Sequence, residues 1–392
     1  MLDSTAQRDK VSPDSGGSTA STVLIAHHSA ELYGSDRMVL ESVRALVQHH
    51  RVVVALPETG ELVGLLRAEG AEVLTISVPV LRHAILTPRG LAGFVLSLPS
   101  AVRRMVRTLK QCRVDALYVN TKVIPIWIIA GLIARVPTLC HVHEAEDGLG
   151  RAARAILALP LRLTRTVVVN SRASGRSIGR QSSRLIYNGV AGPPIGAGEL
   201  PRATLASPVR LTLVGRWSPG KGTDVAVKAV RLLNERGTAS SLRLVGGVYP
   251  GKEWFEDKLR SEADSSVEFV EFRNDVWGLY ADSDIVLVPS RAESFGNVAV
   301  EGMLAGRPVI AAATQGLVEI VKDGETGLLV AADNPEVLAD AIERLVADWP
   351  GACAIAQAGR QAAVERFGLV RYQREIQTVV GDLIPDGARA AR

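Results

Sequence analysis

Apolar residues in this chain fall into short unbroken runs, separated by longer stretches in which they recur every three or four positions. That is the pattern of buried strands alternating with amphipathic helices. In the first half the runs are Thr22–His28, Arg51–Leu56, Glu72–Ile76, Asp115–Val119, Pro137–Val142, Arg165–Asn170 and Arg184–Asn188. The stretch Ala191–Pro208 then breaks the rhythm with four prolines and three glycines, too many for a helix or a central strand. The second half restarts it with Val209–Gly215, Leu242–Gly247, Val267–Phe272, Asp284–Ser290 and Arg307–Ala312. Strands that are apolar on both faces belong to parallel sheets covered by helices. The expected class is therefore α/β, with two doubly wound, Rossmann-like domains facing across a cleft. The boundaries read as a disordered leader over 1–20, a first Rossmann-like domain over 21–190 and a hinge over 191–208. A second Rossmann-like domain would span 209–368, and a helix and tail over 369–392 would pack back toward the first domain.

A length of 392 residues fits two domains, and a 47% hydrophobic, 22% charged composition is that of a globular protein. Cys112, Cys140 and Cys353 are scattered without metal-ligand spacing, which points to a reducing, cytoplasmic location and against structural zinc. The first twenty residues lack an apolar stretch, so no signal peptide is expected there. The run Val123–Ala134 contains Pro125 and is too short to span a bilayer; it reads as a buried helix. Charge changes the picture more. Met1–Val190 holds 23 Lys and Arg against 14 Asp and Glu, a net +9, while the remainder is −5. Many of those cations lie in Leu98–Arg113 and Gly150–Arg165, mixed with aliphatics at helical spacing. Such segments can lie on the inner face of an anionic membrane, and an ordinary solvated helix face reads the same way. They lack the interleaved aromatics that stack on bases, so nucleic acid is not an expected partner.

In doubly wound sheets ligands bind beyond the carboxyl ends of the strands. The turn after Val209–Gly215 is GRWSPGKG, which places Arg216 and Lys221 among flexible backbone N–H groups before a helix, a combination suited to a diphosphate. Its spacing is not that of a P-loop. The segment SRAESFGNVAVEGMLAGRPVI, Ser290–Ile310, follows another strand. Ser294 reads as the N-cap of its helix, and Gly296 permits close approach of backbone to a ligand. Glu293 would sit at the mouth of the cleft and Glu301 two turns further along. Each carboxylate can accept hydrogen bonds from paired hydroxyls, so a ligand carrying a sugar, a diphosphate and a nucleoside would engage the whole set.

These residues, with GRPVIAAATQGLVEIV and YNGV, resemble the retaining nucleotide-sugar glycosyltransferases of the GT-B fold, family four, over roughly Val23–Leu383. The resemblance implies that Arg216 and Lys221 neutralise the leaving diphosphate, that Glu293 binds hydroxyls of the transferred sugar, and that Glu301 binds the ribose. Phe295, Gly296 and Asn297 would line the donor site, Gly316 and Leu317 would offer backbone to the sugar and phosphates, and Arg273 in the stretch Phe272–Val276 would lie beside the base. Glu271 stands where the family more often has glycine. In the first domain Gly34 and Ser35 would approach the phosphates; a second glycine is commoner at the position of Ser35. His143 matches the family histidine that reaches the donor sugar. His141 reads as structural, while His27 and His28 are candidates for the acceptor side.

The resemblance implies a retaining hexosyltransferase acting on a UDP- or GDP-sugar and a glycan or lipid-linked hydroxyl in envelope polysaccharide or glycolipid synthesis. The expected catalytic set is Glu293, His143, Arg216 and Lys221. No resident cofactor and no metal are expected. Asp282-Ser283-Asp284 looks like an Asp-x-Asp metal site but lies at the start of a strand, the wrong end for this architecture. A nucleotide-sugar epimerase or hydrolase of the same fold, and a non-catalytic nucleotide-sugar sensor, are the competing readings. A dinucleotide dehydrogenase lacks its glycine fingerprint here.

Overall fold

The computed structural model describes residues 21–78, 87–145, 150–179, 182–194, 201, 203–205, 207–273 and 275–384. The first sheet contains β1 (Thr22–Ala26), β2 (Arg51–Leu56), β3 (Glu72–Thr75), β4 (Ala116–Val119), β5 (Thr138–Val142), β6 (Thr166–Val169) and β7 (Arg184–Leu185). Its order is β3-β2-β1-β4-β5-β6-β7 and every pairing is parallel. The second contains β8 (Val209–Val214), β9 (Ser240–Gly246), β10 (Val267–Glu271), β11 (Ile285–Val288), β12 (Val309–Ala312) and β13 (Leu328–Val330). It is also parallel, in the order β10-β9-β8-β11-β12-β13. The strand order of each sheet reverses once, between β1 and β4 and between β8 and β11, and those reversals are where a doubly wound fold opens a crevice.

The alternation of side chains along β1 and β2 shows why both faces had to be apolar. Val23, Ile25, Val52 and Val54 join one core, with the helices Gly34–Leu46, Glu61–Ala68 and Leu369–Gly381. Leu24, Ala26, Val53 and Ala55 join another, under the helices Pro88–Gln111 and Ile126–Ala134 and the turn Leu159–Leu163. The helix Leu369–Gly381 crosses from the second domain and packs on Gly34–Leu46. It buries Tyr372, Ile376, Val379 and Val380, a contribution of about 1.5–3 kcal/mol for each large side chain. Tyr372 Oη lies 2.9 Å from Ser42 Oγ, and Gln377 Nε2 donates to the carbonyl of Ala45 at 2.8 Å.

Three local expectations change. The helix after β11 runs Asn297–Leu304 and is capped by Gly296, whose φ is 121°; Ser294 is not its N-cap, because the chain reaches helical geometry only after the glycine bend. The strand expected over Arg184–Asn188 pairs only through Arg184–Leu185, since the chain then leaves the sheet and Val190 bridges to Gly368. The helix Ile126–Ala134 is buried along Ile126–Ile128 but leaves Leu132 and Ile133 53% and 56% exposed.

Candidate active site

In the first domain the residues immediately beyond β1, β4 and β5 stand side by side at the reversal. They are His27, Asn120 and His143. His27 Nε2 lies 2.6 Å from Asp36 Oδ1, and the other Asp36 oxygen accepts the Tyr33 N–H at 2.8 Å. Burial pushes the Asp36 carboxyl up, but the hydrogen bonds from His27 and the Tyr33 N–H outweigh it and hold Asp36 below its ordinary range. Ionised Asp36 can only accept, so the proton sits on His27 Nε2. His27 Nδ1 then accepts from Asn120 Nδ2 at 3.3 Å, and Asn120 Oδ1 accepts from His143 Nε2 at 2.9 Å. The chain Asp36–His27–Asn120–His143 therefore fixes one tautomer, with a bare lone pair on His143 Nδ1 that has no partner among the described residues. Burial above all lowers the His143 pKa to about 3, so the ring is a neutral hydrogen-bond acceptor. His141 is instead bound to Tyr118, Nδ1 to Oη at 2.7 Å, in the strand core. His27 is wholly buried in the chain just described, which removes it from the acceptor side; His28 is half-buried beside it.

In the second domain the residues after β8 and β11 meet in the same way. Gly222 has φ 66°, and a Cβ there would lie 2.0 Å from the Pro289 carbonyl oxygen. That close approach brings the turn Pro219–Lys221 against the loop after β11, where Lys221 Nζ donates to Glu293 Oε2. Arg291 braces the same loop through Asp224 at 2.8 Å. Gly316 N donates to the Glu293 carbonyl at 2.9 Å, and a Cβ on Gly316 would come within 2.4 Å of Ser294 O. Leu317 closes over Gly296, whose missing Cβ leaves room for it. Two buried polar atoms at these strand ends, Arg216 Nε and Ser290 Oγ, have no partner among the described residues. Buried polar atoms are seldom left so unless a ligand or water meets them.

Glu301 accepts from Tyr280 Oη at 2.9 Å. Burial pushes its carboxyl above the usual range, against the Arg37 charge, the Tyr280 hydrogen bond and the Lys221 charge. Arg216 is held across the cleft. Its guanidinium carbon lies 3.5 Å from the Tyr33 ring centroid and 3.3 Å from that of Tyr249, and Nη2 donates to Glu31 at 3.1 Å. Asn297 also touches the first domain, with Asn188 Nδ2 donating to its Oδ1 at 3.0 Å and Gly34 beside its amide. Ser35 sits next to Gly34 and its carbonyl faces the Asn120 amide.

Two residues expected at the donor do not present side chains to it. Phe295 is 2% exposed and packs between Tyr187 and Phe367, because three aromatic rings bury more apolar surface together than one could against a polar ligand. Leu317 is likewise fully buried, so only its backbone can serve. Arg273 is exposed beside Phe272, which lies 6.1 Å from Tyr33. Asp284 is buried against Arg210, which donates to its two carboxylate oxygens at 3.0 and 2.6 Å. Its carboxylate is thereby committed to Arg210. Asp36, Asn120, Arg37, Tyr280, Tyr33 and Tyr249 escaped the sequence reading. Asn120 alone carried a signal, as the first residue past a strand at the reversal.

Residues 208–348 match the family model described as glycosyl transferases group 1, and residues 33–191 match glycosyltransferase family 4. A stretch of 188 residues is 34% identical to the D-inositol 3-phosphate glycosyltransferase of Corynebacterium aurimucosum, covering 45% of this chain and 44% of the relative. Over 165 residues the chain is 40% identical to the protein of the same name from Rhodococcus opacus, covering 39% of this chain and 37% of the relative. The matches thus span under half the length of these curated relatives. The fold superposes on Anabaena Alr3699/HepE, solved in complex with UDP-glucose, with a TM-score of 0.78 at 24% identity, covering 92% of this chain and 99% of that one. It superposes on sucrose-phosphate synthase from Thermosynechococcus elongatus with a TM-score of 0.73 at 20% identity, covering 93% and 99%.

Proposed function

We propose, from the premise that the chain belongs to the group 1, family four glycosyltransferases of the GT-B fold, that it moves a hexose-type sugar from a UDP- or GDP-sugar to a hydroxyl acceptor with retention of configuration. The observation that carries this reading is the meeting of Lys221, in the turn after β8, with Glu293, in the loop after β11, at the reversal of the second sheet, with Arg216 in the same turn as Lys221. A cation and a carboxylate in contact there match a leaving diphosphate joined to a polyhydroxylated ring.

Arg216 and Lys221 would stabilise charge developing on the diphosphate, where preorganised cations contribute most. Glu293 would exchange Lys221 for sugar hydroxyls, and the bare Nδ1 of His143 would accept from another. Glu301, shielded by Tyr280, would take the ribose hydroxyls. A donor phosphate oxygen would remove the acceptor proton as the glycosidic bond forms on the face the diphosphate leaves, so no protein nucleophile is required. Asp284 is spent on Arg210, and leaving-group charge is assigned to the cations without a divalent ion. The acceptor we assign is a glycan or lipid-linked hydroxyl at an anionic membrane surface, in envelope polysaccharide or glycolipid synthesis.

The test is calorimetric titration with UDP, GDP and ADP in EDTA and again with magnesium, followed by NMR of the product anomer. Metal-independent binding of UDP or GDP, weakened by Glu301→Ala, and a product of unchanged anomeric configuration are expected. Binding that requires the metal, or an inverted product, would overturn the mechanism. Free sugar or its epimer formed without acceptor would replace transfer by hydrolysis or epimerisation.

A further inference from the structure

The helices Pro88–Gln111 and Ile126–Ala134, the helix Arg151–Ala158 and the turn Leu159–Leu163 form one layer on the first sheet, on the face opposite the C-terminal helix. This layer lies within residues 88–165, about a fifth of the chain. Yet it holds seven of the fourteen exposed large apolar side chains among the described residues, including Val95, Leu96, Leu132, Ile133 and Leu159. The same residues carry 12 Lys and Arg against 4 Asp and Glu. Arg103, Arg104, Arg107, Arg135 and Arg162 are exposed and make no ion pair among the described residues.

Between the two longer helices runs an apolar groove of about 470 Å³, lined by Leu98, Val102 and Val106 on one side and Ile129 and Ile133 on the other, with Arg103 at its margin. Exposed aliphatics ringed by unpaired arginines are the chemistry of a surface that enters the headgroup region of a bilayer, where apolar burial and attraction to anionic lipid add. A nucleic acid would need stacking rings, and among the described side chains of residues 88–165 the aromatic Tyr118 and Trp127 are both fully buried. An acidic protein partner would match the arginines but leave the groove without an occupant.

We infer that this layer docks on an anionic bilayer and that the groove takes one hydrocarbon tail of an anionic lipid, its phosphate met by Arg103. The inference rests on the proposed membrane-presented acceptor for its purpose. In this doubly wound sheet the helix Pro88–Gln111 begins at the strand ends that open on the cleft, so docking through Val95 and Leu96 sets the cleft beside the headgroups.

The experiment is flotation of the full chain with vesicles of phosphatidylcholine alone and of phosphatidylcholine with about one-third phosphatidylglycerol, at low and high salt, with UDP affinity measured on every variant. Binding to the anionic vesicles only, weakened by salt, is expected. Arg103→Glu with Arg107→Glu should lower it about tenfold or more, as should Leu96→Asp with Ile133→Asp, all at unchanged UDP affinity. Val102→Trp, which fills the groove, should weaken binding severalfold while leaving its salt dependence. Equal binding to neutral vesicles, no binding, or full binding by both paired variants would overturn the docking surface. Full binding by Val102→Trp would overturn the tail site. A stable dimer that Leu96→Asp with Ile133→Asp dissociates would assign the face to a second copy. Vesicle binding without UDP or GDP binding would keep this surface and sink the donor reading; the reverse result would do the opposite.

Discussion

Lys221 Nζ donates to Glu293 Oε2 across the reversal of the second sheet, joining the turn after β8 to the loop after β11. Neither side chain is fully buried, with 34% and 14% exposed, so both remain open to a ligand that replaces one by the other. Under the proposed assignment, removing the cation would leave developing diphosphate charge without its donor. Lys221→Ala should therefore lower kcat by about 10²–10³ and weaken nucleoside diphosphate binding. Glu293→Gln should lower kcat/KM for the sugar donor while leaving affinity for the bare nucleoside diphosphate within about twofold. Steady-state kinetics beside calorimetry separates the two, and a Lys221→Ala enzyme with full kcat would remove Lys221 from the reaction.

That contact depends on backbone. At Gly222 the left-handed φ and the Pro289 carbonyl 2.0 Å from a would-be Cβ leave no room for any side chain. Gly222→Ala should cost ~1–3 kcal/mol of stability and draw Lys221 away from Glu293. Its thermal midpoint should fall together with kcat. Gly220→Ala, where the nearest contact to a Cβ is Ser218 Oγ at 3.9 Å, should do neither.

If Glu301 takes the ribose as proposed, it links nucleoside binding to stability with opposite signs. Its folded-state pKa is raised, first by burial. The folded chain thus binds the proton more tightly than the unfolded chain, and stability is lost as pH rises through that raised pKa. Glu301→Gln should raise the thermal midpoint at neutral pH, by ~2–4 °C per kcal/mol recovered, while weakening nucleoside diphosphate binding. Tyr280→Phe removes a hydrogen bond that favours the carboxylate, so binding should begin to fail at a higher pH than in the parent. Calorimetry across pH 5–8 would show the displacement, and superimposable profiles would separate Glu301 from the nucleoside.

How far the site could be read before the fold was known depends on the range of the interactions. Arg216, Lys221, Glu293 and Glu301 stand on the carboxyl side of runs that the apolar pattern marks as strands, so their neighbourhood follows from the doubly wound topology alone. The support of His143 does not. Asp36 and Asn120 reach it from two other strand–helix units, and nothing within a few residues of His143 announces either. Phe295 illustrates the converse: an aromatic beside a glycine in a donor-like segment reads as a ligand contact, yet Tyr187 and Phe367, distant in sequence, claim it for the core. Ser294 reads as a cap from residue type, but the bend at Gly296 decides where the helix begins.

The tautomer chain gives His143 a specific behaviour. Its pKa of about 3 lies below the ordinary value of 6.5, so between those pH values the unfolded chain takes a proton that the folded chain refuses. Stability from this group is complete above pH 6.5 and is lost as pH falls, at up to about 1.4 kcal/mol per pH unit. His143→Gln should flatten that part of the acid unfolding profile. Asn120→Leu removes the acceptor that holds the proton on Nε2, freeing the ring to flip or change tautomer. It should lower kcat/KM about 10–100-fold with little change in nucleoside diphosphate affinity. An Asn120→Leu enzyme of parental kcat/KM would make the chain structural only.

Arg216, like Lys221, is a cation proposed for the diphosphate that already has a carboxylate in place. Glu31 Oε2 lies 3.1 Å from its Nη2, while Tyr33 and Tyr249 stack on the two sides of the guanidinium. Glu31 is 59% exposed at its side chain, so the pair is worth at most about 1 kcal/mol. The aromatic contacts fix the guanidinium plane without consuming its N–H groups. A diphosphate must displace Glu31 but can leave the rings where they are. Glu31→Gln should therefore tighten nucleoside diphosphate binding, by at most about fivefold at low salt, with the difference vanishing as salt screens the pair. Tyr33→Ala should act in the opposite direction, since it frees Arg216 to wander and makes the ligand bear the cost of ordering it. Weaker binding by Glu31→Gln would show that Glu31 positions Arg216 for the diphosphate instead of competing with it.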